Sequence, residues 1–79
     1  MTVTLYTRRG CHLCDDARHE IESAGRRAIF EYQEIDIDND ARLRELYNEE
    51  VPVIAIDGKK AFKYRVTAAE LLKRLAARA

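Results

Sequence analysis

Both cysteines of this 79-residue chain fall within the four residues Cys11-His12-Leu13-Cys14. The segment lies where a run rich in β-branched and aromatic residues, Val3 to Thr7, gives way to apolar residues at helical spacing that begin at Leu13. Two thiols separated by two residues can close a small disulfide ring or supply half of a tetrahedral metal site. The chain must therefore place a strand directly before a helix, and this junction is the primary candidate for function.

A cysteine at a helix start lies beside unpaired backbone N–H groups and the positive end of the helix dipole, and both stabilise a thiolate. In C-x-x-C motifs the pKa of the first thiol falls from about 8.5 to roughly 3.5–7.5, so we expect Cys11 to be a nucleophile at neutral pH. Arg8 would add a nearby cation, whereas the carboxylates of Asp15 and Asp16 would raise the pKa again. The sequence therefore predicts a moderate activation of Cys11.

Three other interpretations of the cysteine pair stay open. Free cysteine often behaves as a small buried hydrophobe without chemistry, and a short disulfide can be a purely stabilising cross-link, although so small a ring constrains the unfolded chain little. A zinc or iron–sulfur site normally needs four ligands, and the chain offers the two cysteines, His12 and His19. Because His19 lies five residues beyond Cys14, a metal or iron–sulfur binding module is expected only as a dimer that shares the site.

Composition and charge exclude several classes of protein. Fourteen basic residues balance fourteen acidic ones, so the formal net charge of +0 gives no indication of a nucleic-acid surface. No run approaches the roughly 18 apolar residues of a membrane span, and the chain does not start with a basic segment followed by an apolar stretch. We expect one domain over residues 1–79, monomeric and cytoplasmic, where a disulfide is more often transient and catalytic than structural.

Segments of strand and helix spacing alternate along the chain. The patterns predict strands over residues 3–7, 30–37, 51–56 and 59–65, and helices over residues 12–24, 38–47 and from 68 to the end. Gly25 is expected to stop the first helix, and Pro52 marks the entry of the third strand. Asp57-Gly58 is expected to form a hairpin turn, and Thr67 with Glu70 a capping box.

The order β-α-β-α-β-β-α predicts an α/β fold with a four-stranded mixed sheet and helices on both faces. Right-handed crossovers would make the first three strands parallel, and the hairpin would add the fourth strand antiparallel to the third. The second strand has Phe30 and Tyr32 on one face and Ile35 and Ile37 on the other, so we expect it inside the sheet. Cys11 then stands at the carboxyl end of the first strand, where open α/β folds collect their active sites.

The C-x-x-C after the first strand, the arginine ahead of it, the Val51-Pro52 pair and the element order together resemble a glutaredoxin, within the thioredoxin fold. The resemblance covers essentially the whole chain, and three segments are similar to a short glutaredoxin-like family of bacteria. These segments are Leu5 to Arg8, Cys11 to Cys14 and Val51 to Ile54.

The resemblance implies a role for each site residue. Cys11 would be the attacking thiol, Cys14 the resolving thiol, and Pro52 a cis-proline that faces them. The backbone of Val51 would pair with an extended substrate. The other two residues that the resemblance assigns to substrate binding are Arg8 and Thr67.

The chain also departs from the glutaredoxin pattern. His12 and Leu13 stand between the cysteines, where proline and tyrosine are usual. The residues from Tyr64 to Thr67 replace a Gly-Gly-x-Asp type turn that helps to hold glutathione. Glu49-Glu50 precedes the Val-Pro pair in place of basic or polar residues, and these charges should repel an anionic tripeptide.

The sequence thus predicts a dithiol–disulfide oxidoreductase with no bound cofactor, acting on disulfides of proteins or small molecules. The thiolate of Cys11 would attack the substrate disulfide, and Cys14 would resolve the mixed disulfide. Glutathione is one candidate co-substrate for re-reduction of the protein in this electron-transport role. A flavin-dependent donor of the thioredoxin-reductase type is the other.

Overall fold

The computed structural model describes residues 1–78 as four strands and three α-helices. The elements are β1 (Thr2–Thr7), α1 (His12–Gly25), β2 (Glu31–Asp36), a 3₁₀ turn (Ile37–Asn39), α2 (Ala41–Tyr47), β3 (Val53–Ile56), β4 (Lys59–Lys63) and α3 (Ala68–Arg78). The predicted element order is confirmed, and the strands form one mixed sheet in the order β2-β1-β3-β4. Over residues 1–78, no helix has the length and apolar character needed to span a bilayer.

The direction of β3 differs from the prediction. β2 pairs in parallel with β1, but β3 is antiparallel to β1, with Val53 opposite Tyr6 and Ile56 opposite Val3. A parallel third strand would require the chain to return to the other end of the sheet after β2. The seven residues of α2 rise only about 10 Å, whereas a six-residue strand spans about 20 Å. Since β3 consequently starts at the end of the sheet where β2 finishes, the prediction of three parallel strands was wrong.

β2 lies at an edge of the sheet and has β1 as its only neighbouring strand among residues 1–78. Its first four residues, from Glu31 to Glu34, are exposed. The prediction of an interior strand covered on both faces was therefore wrong. The apolar pattern misled because Ile37, which is fully buried, belongs to the 3₁₀ turn after the strand.

Alternation along β1 gives the sheet two faces. The side chains of Val3 and Leu5 are fully buried on the face that α1 and α3 cover. On that face the core cluster comprises Val3, Leu5, Ala17, Ile21, Ala24, Ile54, Ile56, Val66, Leu71 and Leu75. Tyr6 points to the opposite face, where its ring centroid lies 4.8 Å from that of Tyr47 in α2. Helices therefore cover both faces, as the sequence predicts.

Two glycine predictions had different outcomes. Asp57-Gly58 joins β3 to β4 with φ values of 50° and 84°, which confirms the hairpin turn and its left-handed backbone. Gly25, in contrast, is the last residue of α1, and Arg26 caps the helix with a φ of −80°. The prediction that Gly25 follows the helix was wrong, because the chain leaves α1 through a right-handed residue and needs no glycine there.

Candidate active site

The cysteine pair lies where the carboxyl end of β1 meets the start of α1. Cys11 is the N-cap residue of α1, and Cys14 lies one turn further along the helix. A disulfide joins them, with the Cα atoms 5.2 Å apart, so the structure shows the oxidised form. Cys14 is 1% exposed, whereas Cys11 is only partly buried, so Cys11 is the more accessible of the two to a partner molecule.

The sulfur of Cys11 accepts a hydrogen bond of 3.1 Å from the backbone N–H of Cys14. Sulfur takes the place that a serine or aspartate oxygen usually has at an N-cap, and it satisfies one of the unpaired donors of the first helical turn. Reduction would leave a Cys11 thiolate facing the same donor and the positive end of the helix dipole. The geometry therefore suits Cys11 to carry negative charge.

Arg8 is directed away from the cysteines. Its Nε and Nη2 atoms donate to the carboxylate of Asp38 at 3.3 and 2.8 Å. Its Nη1 atom donates to the backbone and side-chain oxygens of Asn48 at 3.1 and 3.0 Å. Among the described residues, Arg8 makes no hydrogen bond to Cys11. The guanidinium instead ties the end of β1 to the segments on either side of α2.

The Val51–Pro52 peptide bond is cis and lies directly before β3. Because Val53 pairs with Tyr6, Pro52 stands at the end of the sheet from which the loop to Cys11 departs. Pro52 is buried, and its carbonyl accepts a 2.8 Å hydrogen bond from the N–H of Tyr64. The sequence therefore brings together the segment before β3, the segment after β4 and the cysteine loop.

Tyr64 is a residue of this region that the sequence analysis missed. Its φ of 70° lies in the left-handed region, which costs a residue with a side chain about 1 kcal/mol relative to glycine. The turn thus keeps a backbone conformation that glycine adopts freely, although no glycine stands there. No sequence signal could have shown this, since a tyrosine is not typical of a left-handed turn.

Thr67 forms the predicted capping box with Glu70 at the start of α3. The Thr67 hydroxyl accepts a 3.1 Å hydrogen bond from the N–H of Glu70, whose Oε1 accepts from the Thr67 N–H and hydroxyl at 3.1 and 3.0 Å. Oε1 of Glu20 in α1 accepts a further 2.9 Å bond from the N–H of Ala68. Two carboxylates of the protein therefore cap α3, and the hydroxyl of Thr67 is engaged in the cap.

The acidic pair before Val51 is partly neutralised. Glu50 Oε1 lies 2.6 Å from Nζ of Lys60 and 3.6 Å from Nζ of Lys63, both in β4. The hydrogen bond from Lys60 lowers the pKa of Glu50 and raises the pKa of the lysine. Consequently the repulsion that the sequence analysis attributed to Glu49-Glu50 is offset at Glu50.

A groove of about 140 Å³ opens between α1 and the segment that joins β4 to α3, and we call it the dithiol groove. It is lined by Leu13, Asp16, Ala17, Tyr64, Arg65, Val66 and Thr67. Because Leu13 stands between the two cysteines, a molecule bound in this groove would lie next to the disulfide. Its lining combines apolar side chains with one carboxylate and one guanidinium.

The structure also locates the two histidines. Both His12 and His19 are exposed. Across residues 1–78, no group of three or more histidine, cysteine or carboxylate side chains could hold a metal ion.

The sequence matches the glutaredoxin-like domain family (DUF836) over residues 2–76. The chain belongs to the glutaredoxin-like family. A glutaredoxin-like protein of Dictyostelium discoideum is 35% identical to it over 72 residues, which cover 84% of this chain and 67% of that protein. The resemblance seen in the sequence is thereby confirmed.

Solved structures establish the thioredoxin-like fold of this glutaredoxin-like chain. The X-ray structure of protein XcR50 from X. campestris is 35% identical, has a TM-score of 0.78, and the match covers 95% of this chain and 96% of that one. The glutaredoxin-like NrdH-redoxin from Escherichia coli is 23% identical, with a TM-score of 0.68 and coverage of 95% of each chain. The predicted fold class is confirmed.

Proposed function

We propose that this glutaredoxin-like protein is a dithiol–disulfide oxidoreductase that reduces disulfides in other molecules. The observation that carries the proposal is the N-cap position of Cys11, whose sulfur faces the backbone N–H of Cys14. A group that stabilises negative charge on one accessible sulfur, with a second sulfur one turn away and buried, is what a nucleophile and a resolving thiol require. Membership of the glutaredoxin-like family supports the same chemistry.

The reaction starts from the reduced pair. The Cys11 thiolate attacks one sulfur of the substrate disulfide, the substrate S–S bond breaks, and the departing sulfur takes up a proton. Cys14 then loses its proton and attacks the Cys11 sulfur of the mixed disulfide, which releases the second substrate sulfur as a thiol. Two electrons have passed to the substrate, and the Cys11–Cys14 disulfide that the structure shows has formed.

A donor of two electrons must then return the pair to the dithiol. Two molecules of glutathione, or a flavin-dependent enzyme of the thioredoxin-reductase type, have the required chemistry. The proposal places the protein in the cytoplasm as a monomer without a bound cofactor, since thiols are kept reduced in that compartment.

Single cysteine variants test the proposal. We expect reduced Cys14→Ser to accumulate a mixed disulfide with bis(2-hydroxyethyl) disulfide, because no second thiol resolves it. We expect Cys11→Ser to form no such adduct, and neither variant to turn over, with intact-mass spectrometry and consumption of dithiothreitol as the measurements. Turnover by Cys11→Ser, or the absence of an adduct on Cys14→Ser, would contradict the proposed mechanism.

A further inference from the structure

We propose that the dithiol groove binds an apolar side chain of a polypeptide whose disulfide is reduced, and that glutathione is a poor substrate. This inference rests on the function proposed above, and it names the substrate class of the same site. It depends on three features of the structure: the size of the groove, the engagement of the nearby cations and helix donors, and the position of Tyr64.

The size and lining of the groove suit one apolar side chain. A cavity of about 150 Å³ lined by apolar residues accommodates a benzene molecule, and the groove has a volume of about 140 Å³. Leu13 and Val66 supply apolar surface, and the carboxylate of Asp16 balances the guanidinium of Arg65. A neutral groove of this size favours an uncharged side chain over an anionic tripeptide.

The groups that could bind the carboxylates of glutathione are engaged within the protein. Both donor edges of the Arg8 guanidinium are taken by Asp38 and Asn48. The two lysines of β4 nearest the Val-Pro segment face the carboxylate of Glu50. A ligand anion would have to displace these partners before it could bind.

The start of α3 is closed to an anion in the same way. Its N–H groups at Thr67 and Ala68 donate to the carboxylates of Glu70 and Glu20. These two negative charges would repel a carboxylate of glutathione at the helix terminus that could otherwise attract it. The anionic tripeptide therefore lacks a free cationic or helix-terminal partner at each of these three places.

Tyr64 contributes the side chain that distinguishes the groove from a glycine turn. The residue is 42% exposed and lines the groove, and its left-handed backbone is held by the hydrogen bond to Pro52. The aromatic ring thus covers backbone that a glycine would leave open. We infer that Tyr64 supplies apolar contact to a polypeptide substrate and obstructs the approach of glutathione to this turn.

The first experiment compares two disulfides on the reduced Cys14→Ser variant. One is glutathione disulfide, and the other is a disulfide of a short neutral peptide with leucine beside its cysteine. Each rate of mixed-disulfide formation is divided by the rate of the same disulfide with dithiothreitol, which removes differences in intrinsic reactivity. We expect the peptide to react at least about tenfold faster, as for one well-placed apolar contact and one relieved repulsion.

Glutathione disulfide reacting as fast as the peptide would overturn the inference and leave the proposed oxidoreductase function intact. Reaction with neither disulfide, in protein whose Cys11 is still alkylated by iodoacetamide, would overturn the proposed function itself. The two failures are therefore distinguishable in one assay.

Two variants test the assigned causes separately, each in the Cys14→Ser background. Replacing both capping carboxylates, Glu20→Gln with Glu70→Gln, keeps hydrogen-bond acceptors and removes two charges, so glutathione disulfide should react at least about threefold faster. The matched control is Glu22→Gln, an exposed glutamate of α1, which should leave both rates unchanged. Tyr64→Gly should slow the leucine peptide about threefold or more without slowing glutathione disulfide. Unchanged rates in both test variants would overturn the inference.

Discussion

At the scale of the residue, the backbone N–H of Cys14 and the sulfur of Cys11 form the contact on which the proposed chemistry depends. The contact exists because Cys11 has an extended backbone, with φ of −91° and ψ of 106°, as an N-cap residue normally has. The next cysteine then begins to follow the helix and buries its own sulfur. The two thiols consequently differ in environment although only two residues separate them.

This difference predicts unequal alkylation. After reduction, iodoacetamide should modify Cys11 at least about tenfold faster than Cys14, because Cys11 is accessible and its thiolate faces a helix N-terminus. Fragmentation mass spectrometry of the peptide from Gly10 to Arg18, which holds both cysteines, gives the two rates from one sample. Equal modification, or faster modification of Cys14, would reverse the assignment of nucleophile and resolving thiol.

The sequence predicted the place of the cysteines but not the direction of Arg8. A C-x-x-C at a strand-to-helix junction must lie at a helix N-terminus, so local pattern alone fixes it. The partners of Arg8 are Asp38 and Asn48, which are 30 and 40 residues away in the chain. Contacts at such separations depend on how the elements pack, and one sequence does not show them.

At the scale of the element, the start of α3 joins two helices. The capping box of Thr67 and Glu70 is local and follows directly from the sequence. The bond from Ala68 N–H to Glu20 of α1 spans 48 residues and could not be predicted from spacing. It adds a polar contact between α1 and α3 above the apolar residues that they bury together.

Substitution of Thr67 separates a capping role from a role in substrate binding. We expect Thr67→Ala to lower the free energy of unfolding by about 1 kcal/mol, because the N–H of Glu70 loses its acceptor. Thr67→Ser keeps a hydroxyl and should unfold at nearly the wild-type urea concentration. Urea denaturation of all three proteins gives the comparison. If Thr67→Ala kept wild-type stability and instead slowed mixed-disulfide formation, Thr67 would belong to the substrate site.

At the scale of the whole molecule, a cluster of charged and polar side chains attaches the edge strand β2 to α1. Arg18 donates hydrogen bonds to Glu34 of β2 and to Asp15, and the Tyr32 hydroxyl donates to Glu34 at 2.7 Å. Burial acts to raise the pKa of Glu34, but the hydrogen bonds from Arg18 and Tyr32 bring it below its ordinary value. Loss of solvent and the bond to Glu34 raise the pKa of Tyr32.

The lowered pKa of Glu34 makes stability depend on acid. Below about pH 4.5 the unfolded chain binds a proton there that the folded state does not, so the contribution is full above that pH and is lost as the pH falls further. Since both side chains are about one-third exposed, solvent screening limits the effect to about 0.5 kcal/mol. Urea midpoints at pH near 6 and near 3 should therefore fall less in Arg18→Gln than in the wild type.

The control for this measurement is Arg26→Gln, since that arginine is exposed and its side chain has no ion pair among the described residues. It should retain the wild-type dependence on pH. An identical fall in the urea midpoint of wild type and Arg18→Gln would show that Glu34 does not contribute to acid sensitivity.

The overall topology was predictable in its order and not in all its directions. The period of apolar residues gave four strands and three helices, and the hairpin turn fixed β4 against β3. The direction of β3 depends on whether the short α2 can carry the chain back across the sheet, which is a question of length rather than of pattern. The edge position of β2 followed from the same error, because a parallel third strand beside it would have enclosed it.

The donor that faces the Cys11 sulfur belongs to the main chain, and this has a consequence for how such sequences can diverge. Any pair of residues at positions 12 and 13 that allows the helix to start keeps the same N–H in place. Descendants of one ancestral chain can therefore exchange His12 or Leu13, and with them the surface that a partner meets, without giving up the group that stabilises the thiolate. Change of partner and retention of chemistry are compatible within the same four residues.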